Sequence, residues 1–209
     1  MTPEAVAALA ACDARLAAAI ELIGPCTLKR GRGSPYEALL SAIAHQQIHG
    51  SAAAAILGRF RDLYGRDCYP TPDELVATPL AKLRACGLSR AKAAAMKDVA
   101  ARTLDGTVPD RRAIARLDDE AIIERLTAVR GVGRWTAEML LMFTLNRPDI
   151  LPVDDFGVRE GFRLLYRKRL QPKPRWLARY GERWAPHRST ASWYLWRYVE
   201  HVRAARRGA

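Results

Sequence analysis

The chain has 209 residues, 49% of them hydrophobic, which suits one globular unit or two small subdomains sharing a core and argues against extended disorder. No apolar run reaches the ~18 residues of a membrane span, and the opening TPEAVAALAACDARLAAAI lacks the charged-then-apolar layout of a secretory leader, so a cytoplasmic protein without membrane contact is expected. The net charge of +12 is uneven, with 14 Lys and Arg against 3 Asp and Glu from Phe156 onward and 20 against 19 before it, the pattern of a candidate polyanion binder.

Helix signals dominate the chain from end to end. Thr2 caps a first helix with Pro3 at its first position, and Gly24-Pro25 closes it. The segment 28–35, LKRGRGSP, reads as a loop. Pro35 opens a helix through YEALLSAIAHQQI, and Ser51 caps the next, AAAAILGRFRDLYG. Thr71-Pro72-Asp73-Glu74 starts one short helix, and Thr78-Pro79 starts another that ends at Gly87. Ser89 caps RAKAAAMKDVAARTLDG. Leu117-Asp118-Asp119-Glu120 begins a helix to Arg130, and Gly133 begins another to about Leu145. Asp154 or Asp155 caps FGVREGFRLLYRK. The segment QPKPRWLARYGERWAPHRS is short helix plus turn, followed by the last helix, TASWYLWRYVEHVRAARR, and a basic tail expected to fray. Alternation of period two is scarce. The expected fold is all-α, about ten helices in one unit over 1–209, with two helix–turn–helix elements, ACGLSRAK and VRGVGRWTA.

Cys12, Cys26, Cys68 and Cys86 are widely and irregularly spaced, which predicts buried free thiols rather than a zinc site. His45 and His49 lie one helical turn apart, but no third ligand accompanies them, so no metal is assigned there.

The chemistry concentrates in the stretch 126–162, LTAVRGVGRWTAEMLLMFTLNRPDILPVDDFGVREGF. Gly131 and Gly133 permit a tight turn between two helices. The helix after such a turn points N–H groups and a positive dipole end outward, an anion site to which Gly131, Val132, Gly133, Arg134 and Thr136 would contribute. Many helical hairpins use glycine merely to turn. About twenty residues on lie Asp154 and Asp155. A fixed carboxylate stabilises the oxocarbenium character that develops when an N-glycosidic bond breaks, and it orients or deprotonates the attacking water. Either aspartate is also able simply to cap the following helix.

The string LTAVRGVGRWTAEM, followed by NRPDILPVDDFGV, resembles the helix–hairpin–helix of the base-excision DNA glycosylase superfamily and is most like its bacterial 3-methyladenine DNA glycosylase II branch. The glutamine-rich segment SAIAHQQIHGSAAAAI and the run ERWAPHRSTASWYLWR extend the resemblance over about residues 36–196. It implies two helical subdomains flanking a cleft, with the helix–hairpin–helix at about 118–145, the catalytic loop at 146–158, and the N- and C-terminal segments in one subdomain. It implies Asp155 as the essential carboxylate, because Val158 stands three residues on where the family has a core-facing aliphatic; Asp154 is the runner-up.

The endonuclease III branch carries a Schiff-base lysine where this chain has Trp135, so hydrolysis without strand cleavage is expected. An indole there stacks on a flipped cationic purine, or simply packs in the core. Met139, Tyr36, Trp184 and His187 are further candidates for the base pocket, although core packing competes for the aromatic rings. Gln47 or Ile48 would plug the duplex gap with Gln46 alongside, while Ser89, Arg90 and Lys92 of the first hairpin would meet phosphate or merely cap a helix. The resemblance implies no required cofactor, and a Na+ or K+ ion on the backbone carbonyls of Thr127, Val129 and Val132. Some relatives carry a C-terminal iron–sulfur cluster; no cysteine beyond Cys86 is available for one. The implied partner is double-stranded DNA with damaged bases, bound by a monomer associated with the nucleoid.

Overall fold

The structure is a computed structural model and describes residues 2–28, 31, 33–65 and 67–207. Among them there are thirteen α-helices, a π-helical segment at Leu140–Thr144 and a 3₁₀ turn at Glu182–Trp184, with no strand. The chain forms two compact units, Met1–Gly31 together with Leu141–Ala209, and Arg32–Leu140. Unit 1 opens with α1 (Pro3–Cys12) and α2 (Ala14–Ile23). Unit 2 holds α3 (Pro35–His45), α4 (Gly50–Asp62), α5 (Pro72–Ala77), α6 (Leu80–Ala85), α7 (Arg90–Leu104), α8 (Arg111–Ile114), α9 (Asp119–Thr127) and α10 (Arg134–Met139). The chain then returns to unit 1 for α11 (Phe156–Leu165), α12 (Pro174–Gly181) and α13 (Arg188–Arg207).

The single helix expected from Thr2 to Gly24 is two helices, broken at Asp13. Asp13 takes an extended conformation, with φ −148°, and caps α2 through Oδ1, which accepts from Arg15 N at 3.1 Å and Leu16 N at 3.2 Å. Its Oδ2 accepts from the Tyr166 hydroxyl at 2.6 Å, Trp184 Nε1 at 3.0 Å and the Tyr180 hydroxyl at 3.2 Å. The residue is 5% exposed, and these donors make the buried carboxylate tolerable. Burial, and then the Asp13 charge, push the Tyr166 hydroxyl far above its ordinary range. Around this knot Leu9, Leu16, Phe162, Leu177, Tyr194 and Leu195 form the unit's core. Gly161 lets α11 and α13 touch at the backbone: a Cβ there would lie 2.3 Å from the Leu195 carbonyl oxygen.

In unit 2 the alanine-rich α7 lies against α3, α5 and α6. Its buried Ala93, Ala95 and Ala100 keep those approaches close, with Met96 and Val99 filling between. Capping boxes start α3 (Ser34 with Glu37) and α5 (Thr71 with Glu74), while Ser89, Asp110 and Asp118 cap α7, α8 and α9.

Several boundaries differ from expectation. α3 stops at His45, and Gln47 turns the chain in the left-handed region with φ 56°. His49 rather than Ser51 caps α4, its Nδ1 accepting from Ser51 N at 3.4 Å. α9 ends at Thr127, not Arg130, and α13 runs to Arg207. The short α8 carries no hydrophobic period of its own; only Ile114 is buried. Residues 29, 30 and 32 of the loop expected at 28–35 lie outside the described residues. All four cysteines are free, but only Cys86 is buried, and Cys12 and Cys68 are exposed. Among the described residues no helix is long and apolar enough to cross a membrane.

Candidate active site

The hairpin joins α9 to α10. Gly131 occupies the left-handed region, with φ 78°, and a Cβ there would lie 3.0 Å from the Ala95 Cβ. Gly133 starts α10 with φ −95° and caps it without a side-chain hydrogen bond. Val129 and Val132 are buried and anchor the turn. Two tethers hold the loop: Gln46 Nε2 donates to the Gly131 carbonyl at 2.9 Å, and Arg130 N donates to Asp98 Oδ2 at 2.8 Å. Val129 O accepts from Val132 N at 3.1 Å, and Thr127 Oγ1 donates back to Ile123 O at 2.8 Å.

Beside the hairpin, unit 2 contains a recess of about 480 Å³ lined by Ala42 and His45 of α3, Gln46 and Gln47 of the turn, and Trp135, Thr136 and Met139 of α10. The structure thus brings Trp135, Met139, Thr136, Gln46 and Gln47 to one cavity with a largely apolar wall. Trp135 is 46% exposed, leaving ring surface open to a ligand. His45 escaped the sequence reading as a lining residue; its Nδ1 is 2.8 Å from Ser41 O on its own helix, and an i,i+4 bond of that kind carries no signal in the sequence. Ile48 is 37% exposed in the same turn.

Other expectations in unit 2 change on inspection. Thr136 is buried and lines the recess. Arg134 forms ion pairs with Glu120 and Glu138, and its hydrogen bonds hold Glu120 below the ordinary carboxylate range. It serves α9–α10 packing before any phosphate. Ser89 Oγ accepts from Lys92 N at 3.2 Å, and Lys92 Nζ donates to the Ala44 carbonyl at 2.9 Å at the end of α3, so both have structural work, whereas Arg90 is exposed. Tyr36 is 7% exposed and lies outside the recess lining, with burial raising its hydroxyl; no ring face is left for a base.

The candidate carboxylate lies in unit 1. Asp155 caps α11: its Oδ1 accepts from Val158 N at 2.7 Å and from Trp196 Nε1 at 2.8 Å. Val158 is fully buried below it. Asp154 is exposed in the preceding turn. The loop leading to Asp155 is stapled to the start of α13. Arg188 forks onto Asp149 with two bonds of 2.7 Å, Ser189 Oγ donates to Arg147 O at 2.7 Å, and Ile150 N donates to Ser189 Oγ at 2.9 Å. Burial works against the Asp149 charge, but the Arg188 hydrogen bonds outweigh it and hold the carboxyl below its usual range. Trp184 is corrected to a core residue: it is 1% exposed and spends its indole N–H on Asp13. His187 is half-buried and precedes α13, accepting from Thr190 N and Ala191 N through its carbonyl.

Helices without strands among the described residues, a glycine hairpin between α9 and α10, and an aspartate fixed at the end of a stapled loop define a helix–hairpin–helix protein of the DNA-repair class. The chain belongs to the HhH-GPD superfamily of base excision DNA repair proteins, whose family model matches residues 40–187. It is 41% identical over 180 residues to DNA-3-methyladenine glycosylase 1 of Schizosaccharomyces pombe, covering 85% of this chain and 79% of that one. Among solved structures it is similar to the 3-methyladenine DNA glycosylase Mag1 of the same yeast in complex with abasic DNA, with a TM-score of 0.82, 38% identity, and 92% and 95% of the two chains covered. A DNA-3-methyladenine glycosidase from Bacillus halodurans matches with a TM-score of 0.86 and 33% identity, over 97% of this chain and 92% of that one.

Proposed function

We propose that the protein is a monofunctional DNA glycosylase that flips alkylated purines of the 3-methyladenine and 7-methylguanine type out of duplex DNA and hydrolyses their N-glycosidic bond in base excision repair. The observation that carries this reading is the lining of the recess. Trp135 and Met139 offer a polarisable wall to a cationic purine, and the lining contains no amine that would form a Schiff base. The positive charge of the alkylated base already makes it a good leaving group. The C1′–N bond breaks with its electron pair leaving on the base, and positive charge develops on the deoxyribose. The Asp155 carboxylate stabilises that charge and orients the water whose oxygen bonds to C1′. The departing purine is neutral, the water's proton passes to the carboxylate or to solvent, and an abasic site remains.

The hairpin backbone from Gly131 to Gly133 grips a phosphate, and Gln47 or Ile48 fills the space the flipped nucleotide vacates. A Na+ or K+ ion on the carbonyls of Thr127, Val129 and Val132 would add positive charge beside that phosphate; the Val129 oxygen keeps a second lone pair after accepting Val132 N–H. The protein acts as a cytoplasmic monomer and needs no redox cofactor.

The test is excision from duplexes that each carry one lesion. Wild type should release 3-methyladenine and 7-methylguanine and leave an alkali-labile site without nicking the strand. Asp155→Asn should bind the same duplexes and release nothing measurable. Release only of deaminated or oxidised bases would replace the substrate assignment. Full activity of Asp155→Asn would remove the mechanism.

A further inference from the structure

Asp155 is held by more than its own helix. A side-chain carboxylate that only caps a helix swings within the arc its backbone allows, and catalysis needs it fixed within a fraction of an ångström. The second donor is Trp196, 41 residues away on α13, whose Nε1–H points at Oδ1 from 2.8 Å. Three features serve this one contact. Gly157 has no side chain where one would collide: a Cβ there would lie 2.7 Å from Trp196 Cδ1, 2.9 Å from its Nε1 and 3.1 Å from Asp155 Oδ1. Phe143, in the π-helical segment, stacks on the indole with centroids 5.7 Å apart and planes at 26°. Gly161, one turn beyond Gly157, admits the α13 backbone at Leu195, the residue before Trp196. A π-helical turn costs ordinary helical geometry and recurs at functional positions; here it delivers the ring that backs the indole.

We infer that Trp196 is a positioning residue for the reaction: its indole N–H, backed by Phe143 and admitted by Gly157, fixes the Asp155 carboxylate in the orientation that meets the sugar. This rests on the assignment of Asp155 as the carboxylate of the reaction. The role of Trp196 runs through Asp155, to which its Nε1–H donates.

The test compares Trp196→Phe, Phe143→Leu and Gly157→Ala with wild type in single-turnover release of 7-methylguanine at saturating enzyme. Binding of a duplex carrying a stable abasic analogue, and thermal unfolding, are measured alongside. Trp196→Phe keeps a ring against Phe143 and loses only the donor. Its saturated rate should fall about tenfold or more, since small misplacements of a reacting group cost that much, while analogue affinity and melting temperature stay within error. Phe143→Leu should lose a smaller factor in the same parameter, and Gly157→Ala, which pushes the indole aside, at least as much as Trp196→Phe. A wild-type rate in Trp196→Phe overturns the inference, as does a rate loss matched by equal losses of affinity or melting temperature, which marks a packing role. Asp155→Asn in the same assay separates the two levels. If it is silent while Trp196→Phe is normal, only the positioning role falls; if it is fully active, the reading of Asp155 falls first.

Discussion

Trp135 lines the recess beside the hairpin. It is 46% exposed on a six-residue helix, unusual for an indole that only packs. If its ring face attracts a cationic purine, removing it should hurt charged lesions more than neutral ones. Cation–π attraction of about 0.5–2 kcal/mol predicts that Trp135→Ala loses about 2- to 30-fold in 7-methylguanine release. Release of neutral hypoxanthine, if wild type shows any, should fall by a smaller factor. Equal losses for both bases would mean the ring supplies shape and not charge stabilisation. Trp135 and Asp155 were singled out in the sequence by the family resemblance, through an aromatic on the helix after the hairpin and an acid three residues before a core-facing aliphatic. Trp184 was not legible. An indole with one polar edge suits a pocket or a core equally well, and the choice is made by Asp13, 171 residues away. The bond from Trp196 to Asp155 has no sequence signature either, because no helical period links α11 to α13.

Among elements, the hairpin shows how two glycines separated by one residue do different work. Gly131 is a conformational necessity: its φ of 78° is strained for any other residue, and an added Cβ would crowd the Ala95 Cβ at 3.0 Å. Gly133 has φ −95° and nothing within 4 Å of an added Cβ. Gly131→Ala should therefore cost about 1–3 kcal/mol of stability and lower the melting temperature by about 2–4 °C for each kcal/mol. Gly133→Ala should melt with wild type. If the start of α10 meets a phosphate through its backbone, the new methyl group still obstructs that approach, and duplex affinity should fall without any loss of stability. Calorimetry and a binding titration on the two variants check this; unchanged affinity in Gly133→Ala would remove the phosphate from the hairpin. The sequence located this element from GVG alone, yet assigned Gly131 and Gly133 one shared role, because φ values are set by what surrounds the turn. Helix starts were readable at Thr71, Ser89 and Asp118, where a side chain caps its own helix, but not at Asp13 or Asp110, which do the same for α2 and α8. The break at Asp13 was missed because ACDAR continues a good helical pattern and the residues that compensate for the break, Tyr166, Tyr180 and Trp184, lie at the other end of the chain.

Across the whole molecule, charge and chemistry are divided between the units. The unit formed by Met1–Gly31 and Leu141–Ala209, which carries Asp155, has 18 Lys and Arg against 9 Asp and Glu; the unit with the hairpin has 16 against 13. The sequence already pointed to a polyanion partner and located most of the excess from Phe156 onward, since net charge is additive along the chain. A phosphate gripped by backbone N–H groups releases few counterions of its own accord, whereas Lys and Arg that neutralise phosphates release one for each. Duplex affinity should therefore fall steeply with salt: about six phosphate contacts predict a loss of about 10³-fold between 50 and 200 mM. The chemical step should respond differently. If the proposed roles of the apolar, aromatic recess and of the Asp155 carboxylate hold, the single-turnover release rate at saturating enzyme should be nearly independent of salt. Gly133→Ala joins the two measurements, since its affinity should run parallel to wild type on a log–log plot against salt, displaced downward. A flat affinity curve for wild type would remove the electrostatic account of binding. A saturated rate that follows the salt curve would mean that the excess cations act on the flipped nucleotide itself, and not only on the backbone that delivers it.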